Sequence, residues 1–168
     1  MTPLKETEIQ VLKIIEKNAN LGVAKIAKMM GRSEKEIQQV IYDLEDKKAI
    51  LGYSTLIDWA KVVEHEEVTA MVDVKVTPAR GVGFDKVAER IYRFPEVKAV
   101  YLMSGAYDLS VTVNGKTMMD IGKFISEKLS ALDSVLSTTT HFVLKRYKHD
   151  GFILEDDDED DKRIVVSP

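Results

Sequence analysis

The sequence predicts an α+β protein in two parts, a helical first third followed by a longer region built on one antiparallel sheet. Three observations carry that prediction. Apolar residues recur at helical spacing between residues 5 and 44, the pattern of amphipathic helices. The stretch "VTAMVDVKVT" (68–77) alternates with period two over its whole length, as a half-buried strand must. Beyond it, helical and strand-like patterns follow one another in the order β-α-β-β-α-β, the split βαβ arrangement.

Within the first part, Ile9, Leu12 and Ile15 form one face of a helix over 5–18, widened by Val11 and Ile14, and Thr2 with Pro3 marks its approach. "VAKIAKMM" (23–30) fits a second helix. Gly31 supplies the left-handed position that ends it cheaply, and "SEKE" (33–36) is a capping box that opens a third helix. There Ile37, Val40, Ile41 and Leu44 stand at i, i+3, i+4 and i+7 and turn inward, so Lys35, Gln39 and Tyr42 point outward. Small Ala27, Gly31 in the turn and Ile37 as anchor have the spacing of a tri-helical helix-turn-helix. "AILGYSTLID" (49–58), with Gly52 among apolar and β-branched residues, reads as a two-stranded wing. Residues 1–57 are thus predicted to form a winged helix-turn-helix domain and 58–66 a linker.

The second domain is expected over 67–150. Val68, Ala70, Val72, Val74 and Val76 share one face of its first strand; Thr69, Met71, Asp73, Lys75 and Thr77 share the other. Phe84, Val87, Ala88 and Ile91 follow helical spacing until Pro95 breaks it. Val97–Met103 and Tyr107–Val113 read as a hairpin, Met118, Ile121, Ile125 and Leu129 as a second helix, and Val135 to about Tyr147 as a last strand. This is a ferredoxin-like order, in which both helices cover one face of the sheet. The opposite face is not cleanly polar: Val100 and Leu102 alternate against Ala99, Tyr101 and Met103, and Met71 adds apolar surface away from the helices. Apolar sheet surface of that kind marks an interface, so a homodimer made sheet to sheet is expected.

Composition narrows the function classes. With 45% apolar and 31% charged residues the chain reads as a soluble globular protein. No apolar run approaches the roughly 20 residues a bilayer requires, and "MTPLKETEIQ" lacks a signal-peptide core, so a cytoplasmic address without membrane contact is expected. The absence of cysteine excludes disulfides, thiolate nucleophiles and cysteine-built zinc sites. His65, His141 and His149 show no metal-ligand spacing, and neither GxxxxGK[ST] nor GxGxxG occurs. No catalytic residue, metal or cofactor is therefore expected, and the chain reads as a non-enzyme.

The net charge of −4 is unevenly distributed. Residues 1–57 carry nine basic and eight acidic side chains, residues 58–150 thirteen of each, and 151–168 two against seven. The acidity thus belongs to the tail, where Glu155 to Asp161 are seven consecutive acids. Such a block repels itself too strongly to pack, so disorder is expected past about Leu154.

"LKETEIQVLKIIEKNANLGVAKIAKMMGRSEKEIQQVIYDLEDKKAILGYSTLID", together with "GAYDLSV" (105–111) and "STTTHFVLKRY" (137–147), resembles the Lrp/AsnC, or feast/famine, transcriptional regulators from residue 4 to about 148. The resemblance implies an N-terminal domain that binds double-stranded DNA and a C-terminal domain that dimerises, oligomerises further and senses an amino-acid effector. For DNA, Ser33 and the amides opening the third helix suit phosphate, while Arg32, Lys35, Lys25 and Lys28 add charge. Gln38, Gln39 and Tyr42 are placed to reach base edges. Glu34 and Glu36 flank them, and a charge of +1 is thin for a duplex binder, although a dimer doubles the contacts. An oligomeric metabolite-binding module without DNA binding remains an alternative, as does a ferredoxin-like enzyme. The acidic tail is a solubilising extension or a competitor of DNA for the basic surface.

For the effector, "SGAYD" (104–108) is the candidate. A plain hairpin needs Gly105 and one small polar residue, which leaves Tyr107 unexplained. The resemblance implies that this turn lies between dimers, where effectors bind. Ser104 opens it, Gly105 lets backbone amides approach a carboxylate, Asp108 suits an ammonium group and Tyr107 walls the pocket. Ala106 gives no hint of side-chain preference. Thr138 and Thr140, on one face of the last strand, are expected to add hydroxyls from a neighbouring strand or subunit.

Overall fold

The computed structural model describes residues 5–62, 67–77 and 83–154, and the chain divides into two compact units at Ile57/Asp58. The N-terminal unit contains α1 (Glu6–Lys17), α2 (Val23–Met30) and α3 (Glu34–Asp46). Its core is Val11, Ile26, Ala27, Ile37, Ile41 and Leu44. The inward stripe of α1 differs from the expected one. It centres on Val11, while Ile9 is 41% exposed and Leu12, Ile14 and Ile15 are half-buried. Glu8 shares the buried side because its carboxylate is paired there, accepting from the Lys5 amide at 2.6 Å and from Lys47 Nζ at 2.9 Å.

The turn between α2 and α3 follows the sequence. Gly31 takes φ +62°, the left-handed conformation that costs glycine little. The Arg32 amide bonds back to the Ala27 carbonyl at 3.0 Å, satisfying a group the helix end leaves open. Ser33 Oγ accepts from the Glu36 amide, and the Glu36 carboxylate accepts in return from the Ser33 amide at 3.0 Å. The expected wing is not formed: residues 51–58 carry no strand pairing, and Leu51, Tyr53, Leu56 and Ile57 are exposed. A two-stranded ribbon has no buried face of its own to hold it.

In the C-terminal unit one 3₁₀ turn, Trp59–Lys61, occupies the predicted linker. There follow β1 (Val68–Val76), α4 (Asp85–Tyr92), β2 (Val97–Leu102), β3 (Leu109–Gly115), α5 (Met118–Phe124) and β4 (Val135–Phe142). The strands form one antiparallel sheet in the order β2-β3-β1-β4. Ala70, Val72, Val74 and Val76 of β1 and Leu109, Val111 and Val113 of β3 pack against Val87, Ile91, Ile121, Phe124, Leu129 and Leu132.

Three expectations are corrected here. The helix begun as α5 widens into a π-helical turn over Ile125–Leu129. That insertion shifts its phase, so Phe124 and Leu129 are buried together, and Met118, in the first turn of α5, is 54% exposed. β4 stops at Phe142 rather than near Tyr147, and a two-residue hairpin follows, β5 (Lys148–His149) with β6 (Phe152–Ile153). Leu102 pairs with Leu109 and so points to the helix side, exposed because β2 is an edge strand. The open face instead interleaves Ala99, Tyr101 and Met71 with Asp73, Ser110, Thr112, Thr139 and His141, a mixed surface. Thr2, Pro3, His65 and the tail from Glu155 lie outside the described residues.

Candidate functional site

Two groups of residues carry the chemistry. On the N-terminal unit, Lys25 and Lys28 of α2, Arg32 and Ser33 of the turn, and Lys35, Gln38, Gln39 and Tyr42 of α3 are all exposed. Three are already engaged. The Ser33 hydroxyl caps α3 and also donates to Glu36 Oε2 at 2.9 Å. Arg32 Nη1 lies 3.7 Å from Glu36 Oε1. Gln39 Nε2 donates to Asp43 Oδ1 at 2.8 Å, which leaves its carbonyl oxygen to accept from outside. The Ser33 amide and hydroxyl, and then Arg32, hold the Glu36 carboxyl below the usual carboxylate range. The face therefore offers Lys25, Lys28, Lys35 and Tyr42 outward, with acidic side chains close by.

The second group is the turn between β2 and β3. Gly105 takes φ +144°, a conformation other residues rarely adopt, and Ser104 and Ala106 are exposed beside it. Asp108 stitches this turn to β1. Its amide donates to the Val74 carbonyl at 3.1 Å, its Oδ2 accepts from the Val76 amide at 2.9 Å, and its Oδ1 lies 3.3 Å from Lys75 Nζ. The Val76 amide and then Lys75 hold the Asp108 carboxyl below its ordinary range, against the opposing effect of burial. The hydroxyls of Tyr107 and Thr139 share a hydrogen bond of 2.7 Å. The quartet Lys75, Tyr107, Asp108 and Thr139 thus lies at one end of the open sheet face.

Thr138 and Thr140 are not part of that quartet. Their register partners are Val74 and Val72, so they face the helix side of the sheet. There they line an open crevice of about 480 Å³ with Gly122, Ile125, Ser126, Ser130 and Phe142. The threonine that meets the turn is Thr139, which sequence reasoning missed together with Lys75. Lys75 was visible as an outward residue of an alternating strand, but its pairing with Asp108 depends on chain reversal. Elsewhere on the open face His141 Nε2 lies 3.3 Å from Asp73 Oδ2. Among the described residues no group of three or more histidine, cysteine or acidic side chains is placed to hold a metal ion, and no helix is long and apolar enough to cross a membrane.

Residues 69–152 match the model of the Lrp/AsnC ligand binding domain. The chain is 60% identical over 165 residues to the HTH-type transcriptional regulator YugG of Bacillus subtilis, covering 98% of this chain and 99% of that protein. It is 28% identical over 138 residues to the HTH-type transcriptional regulator LrpA of Pyrococcus abyssi, covering 82% and 94%. Among solved structures, the transcriptional regulator NMB0573 of Neisseria meningitidis, in complex with L-Met, superposes with a TM-score of 0.69 at 22% identity, covering 88% and 94%.

Proposed function

The chain belongs to the Lrp/AsnC family of transcriptional regulators, and from that premise we propose that it is a sequence-specific DNA-binding regulator, dimeric or larger, acting in the cytoplasm without catalysis. The observation that carries this reading is the α2–Gly31–α3 turn, which presents an exposed, capped helix flanked by Lys25, Lys28 and Lys35. In this reading α3 enters the major groove, where Gln38, Gln39 and Tyr42 meet base edges and Lys25, Lys28, Lys35, Arg32 and the amides at Ser33 meet phosphates. The open sheet face around Met71 and Tyr101 meets a second copy. A small effector binds at Ser104–Asp108; the Neisseria regulator of the same fold was solved as a complex with L-Met. The turn and the Thr138/Thr140 crevice lie on opposite faces of one sheet, so a single ligand touches both only where two copies meet.

The engagement of Arg32 with Glu36 and of Gln39 with Asp43 favours a second reading, an oligomeric metabolite-binding module that leaves DNA alone. A gel-shift titration separates the two. Full-length protein is titrated at low salt against its own upstream region and a scrambled duplex, with and without amino acids. Preferential binding upstream supports the regulator. Absent binding to both duplexes supports the metabolite module, and equal binding to both overturns the sequence-specific reading alone.

A further inference from the structure

We infer that Gln39 reads adenine in the major groove and that Asp43 sets this preference by fixing which way the Gln39 amide points. This rests on the reading of α3 as the helix that enters the groove, and it names the base that the helix takes.

A glutamine amide can offer either end to a ligand, since its carbonyl accepts and its NH2 group donates. Here the choice is already made. Gln39 Nε2 donates to Asp43 Oδ1 at 2.8 Å across one helical turn, and an ionised carboxylate only accepts. The reversed amide would set carbonyl oxygen against carboxylate, so Oε1 is turned away from Asp43. Both residues line a groove of about 290 Å³ between α1 and α3, where Asp43 is half-buried and Gln39 is exposed. The acid is thus the recessed partner, and the amide is the group that meets a duplex.

Among the bases, adenine alone answers both functions that remain. Its N6 amine donates to Oε1, and its N7 accepts the second Nε2 proton, the one that Asp43 leaves. Guanine presents two acceptors, O6 and N7, and thymine presents O4 and a methyl group, so neither has a donor for Oε1. Cytosine presents an amine with no acceptor beside it on the same base. Charge points the same way. The Asp43 carboxylate, with Glu36 lining the same groove, repels the guanine acceptors and attracts an amine. Arg32, a side-chain type that reads guanine, lies 3.7 Å from Glu36 and is engaged there.

The test selects duplexes from a randomised library with full-length protein at one salt concentration, using wild type, Gln39→Ala, Asp43→Asn and Asp43→Glu. The base pair that becomes degenerate in Gln39→Ala is expected to be A·T in the wild type, preferred over G·C by about tenfold or more. Asp43→Asn brings an amide that can pair with either end of Gln39, so it is expected to lose most of that preference at that pair alone. Asp43→Glu is expected to keep it. Replacing the adenine by purine, which lacks the N6 amine, is expected to cost the wild type about tenfold and Gln39→Ala nothing. Damage to the fold weakens every duplex alike, so relaxation confined to one pair is a readout that damage does not give. If that pair is G·C, if Asp43→Asn leaves it unchanged, or if purine binds as tightly as adenine, the inference is overturned and the regulator reading stands. If Gln39→Ala relaxes no pair, the inference is likewise overturned. If the wild type selects no sequence, both fall.

Discussion

Lys47 Nζ lies 2.9 Å from Glu8 Oε1, a contact across 39 residues that joins the end of α3 to the first turn of α1. Glu8 is nearly buried, and its second oxygen accepts from the Lys5 amide, so one carboxylate caps one helix and fastens another. Lys47 and the Lys5 amide hold the Glu8 carboxyl below its ordinary range, and Glu8 raises Lys47.

The sign of the resulting pH dependence follows. The folded pKa of Glu8 is depressed, so its contribution is present above the ordinary carboxylate range and is lost as pH falls through the folded value. The folded pKa of Lys47 is raised, so its contribution is present below the ordinary lysine range and is lost as pH rises through the folded value. Lys47→Met is expected to lower the melting temperature at neutral pH and to flatten the alkaline loss. Thermal unfolding from pH 3 to 11 checks this, and an unchanged profile would show that the pair does not stabilise the unit.

At the helix-turn-helix, Ser33→Ala removes the cap of α3 and is expected to cost about 1 kcal/mol. Gly31→Ala meets no neighbour but must hold a left-handed φ, a strain of about 1 kcal/mol. Urea unfolding measures both, and a neutral Gly31→Ala would mean that the turn relaxes to another conformation.

For DNA recognition, Gln39→Ala is expected to lose about 1–3 kcal/mol of discrimination between upstream and scrambled duplexes. Lys25→Ala is expected to weaken both equally and to reduce the salt slope by about 1. Asp43→Ala frees the Gln39 amide and is expected to alter base preference more than overall affinity. Uniform losses for all three would argue that α3 does not read bases.

The open sheet face gives a test of assembly. Tyr101→Glu or Met71→Glu is expected to shift the protein toward monomer in sedimentation at micromolar concentration, whereas Leu102→Glu, on the helix side, leaves assembly intact. The reverse ranking would place the contact on the β2 edge rather than on the face.

Asp108 yields a final prediction. Asp108→Ala leaves the Val76 amide without its acceptor and Lys75 without its partner, so it is expected to destabilise the sheet more than Asp108→Asn, which keeps an acceptor. Equal melting temperatures for the two variants would show that the β1 stitch is dispensable.

Much of this protein was determined by local sequence. The Ser33–Glu36 box, Gly31 and the Ile37–Leu44 stripe fix two helices and their turn, because caps and left-handed glycines act within a few residues. The alternation of β1 survives folding because its period of two is a property of the strand itself. Tertiary structure decided what local pattern cannot see. Val11 rather than Ile9 became the heart of α1, because a helix buries the line that faces its neighbours. The wing residues found no strand pairing, because a ribbon needs a surface to lie on. At the turn the sequence singled out Tyr107 and Asp108, but only the pairing of β1 with β3 put Lys75 against Asp108, and only the pairing of β1 with β4 put Thr139, rather than Thr138 or Thr140, on the face that meets Tyr107. Strand register assigns side chains to faces, and one residue of shift reverses every assignment.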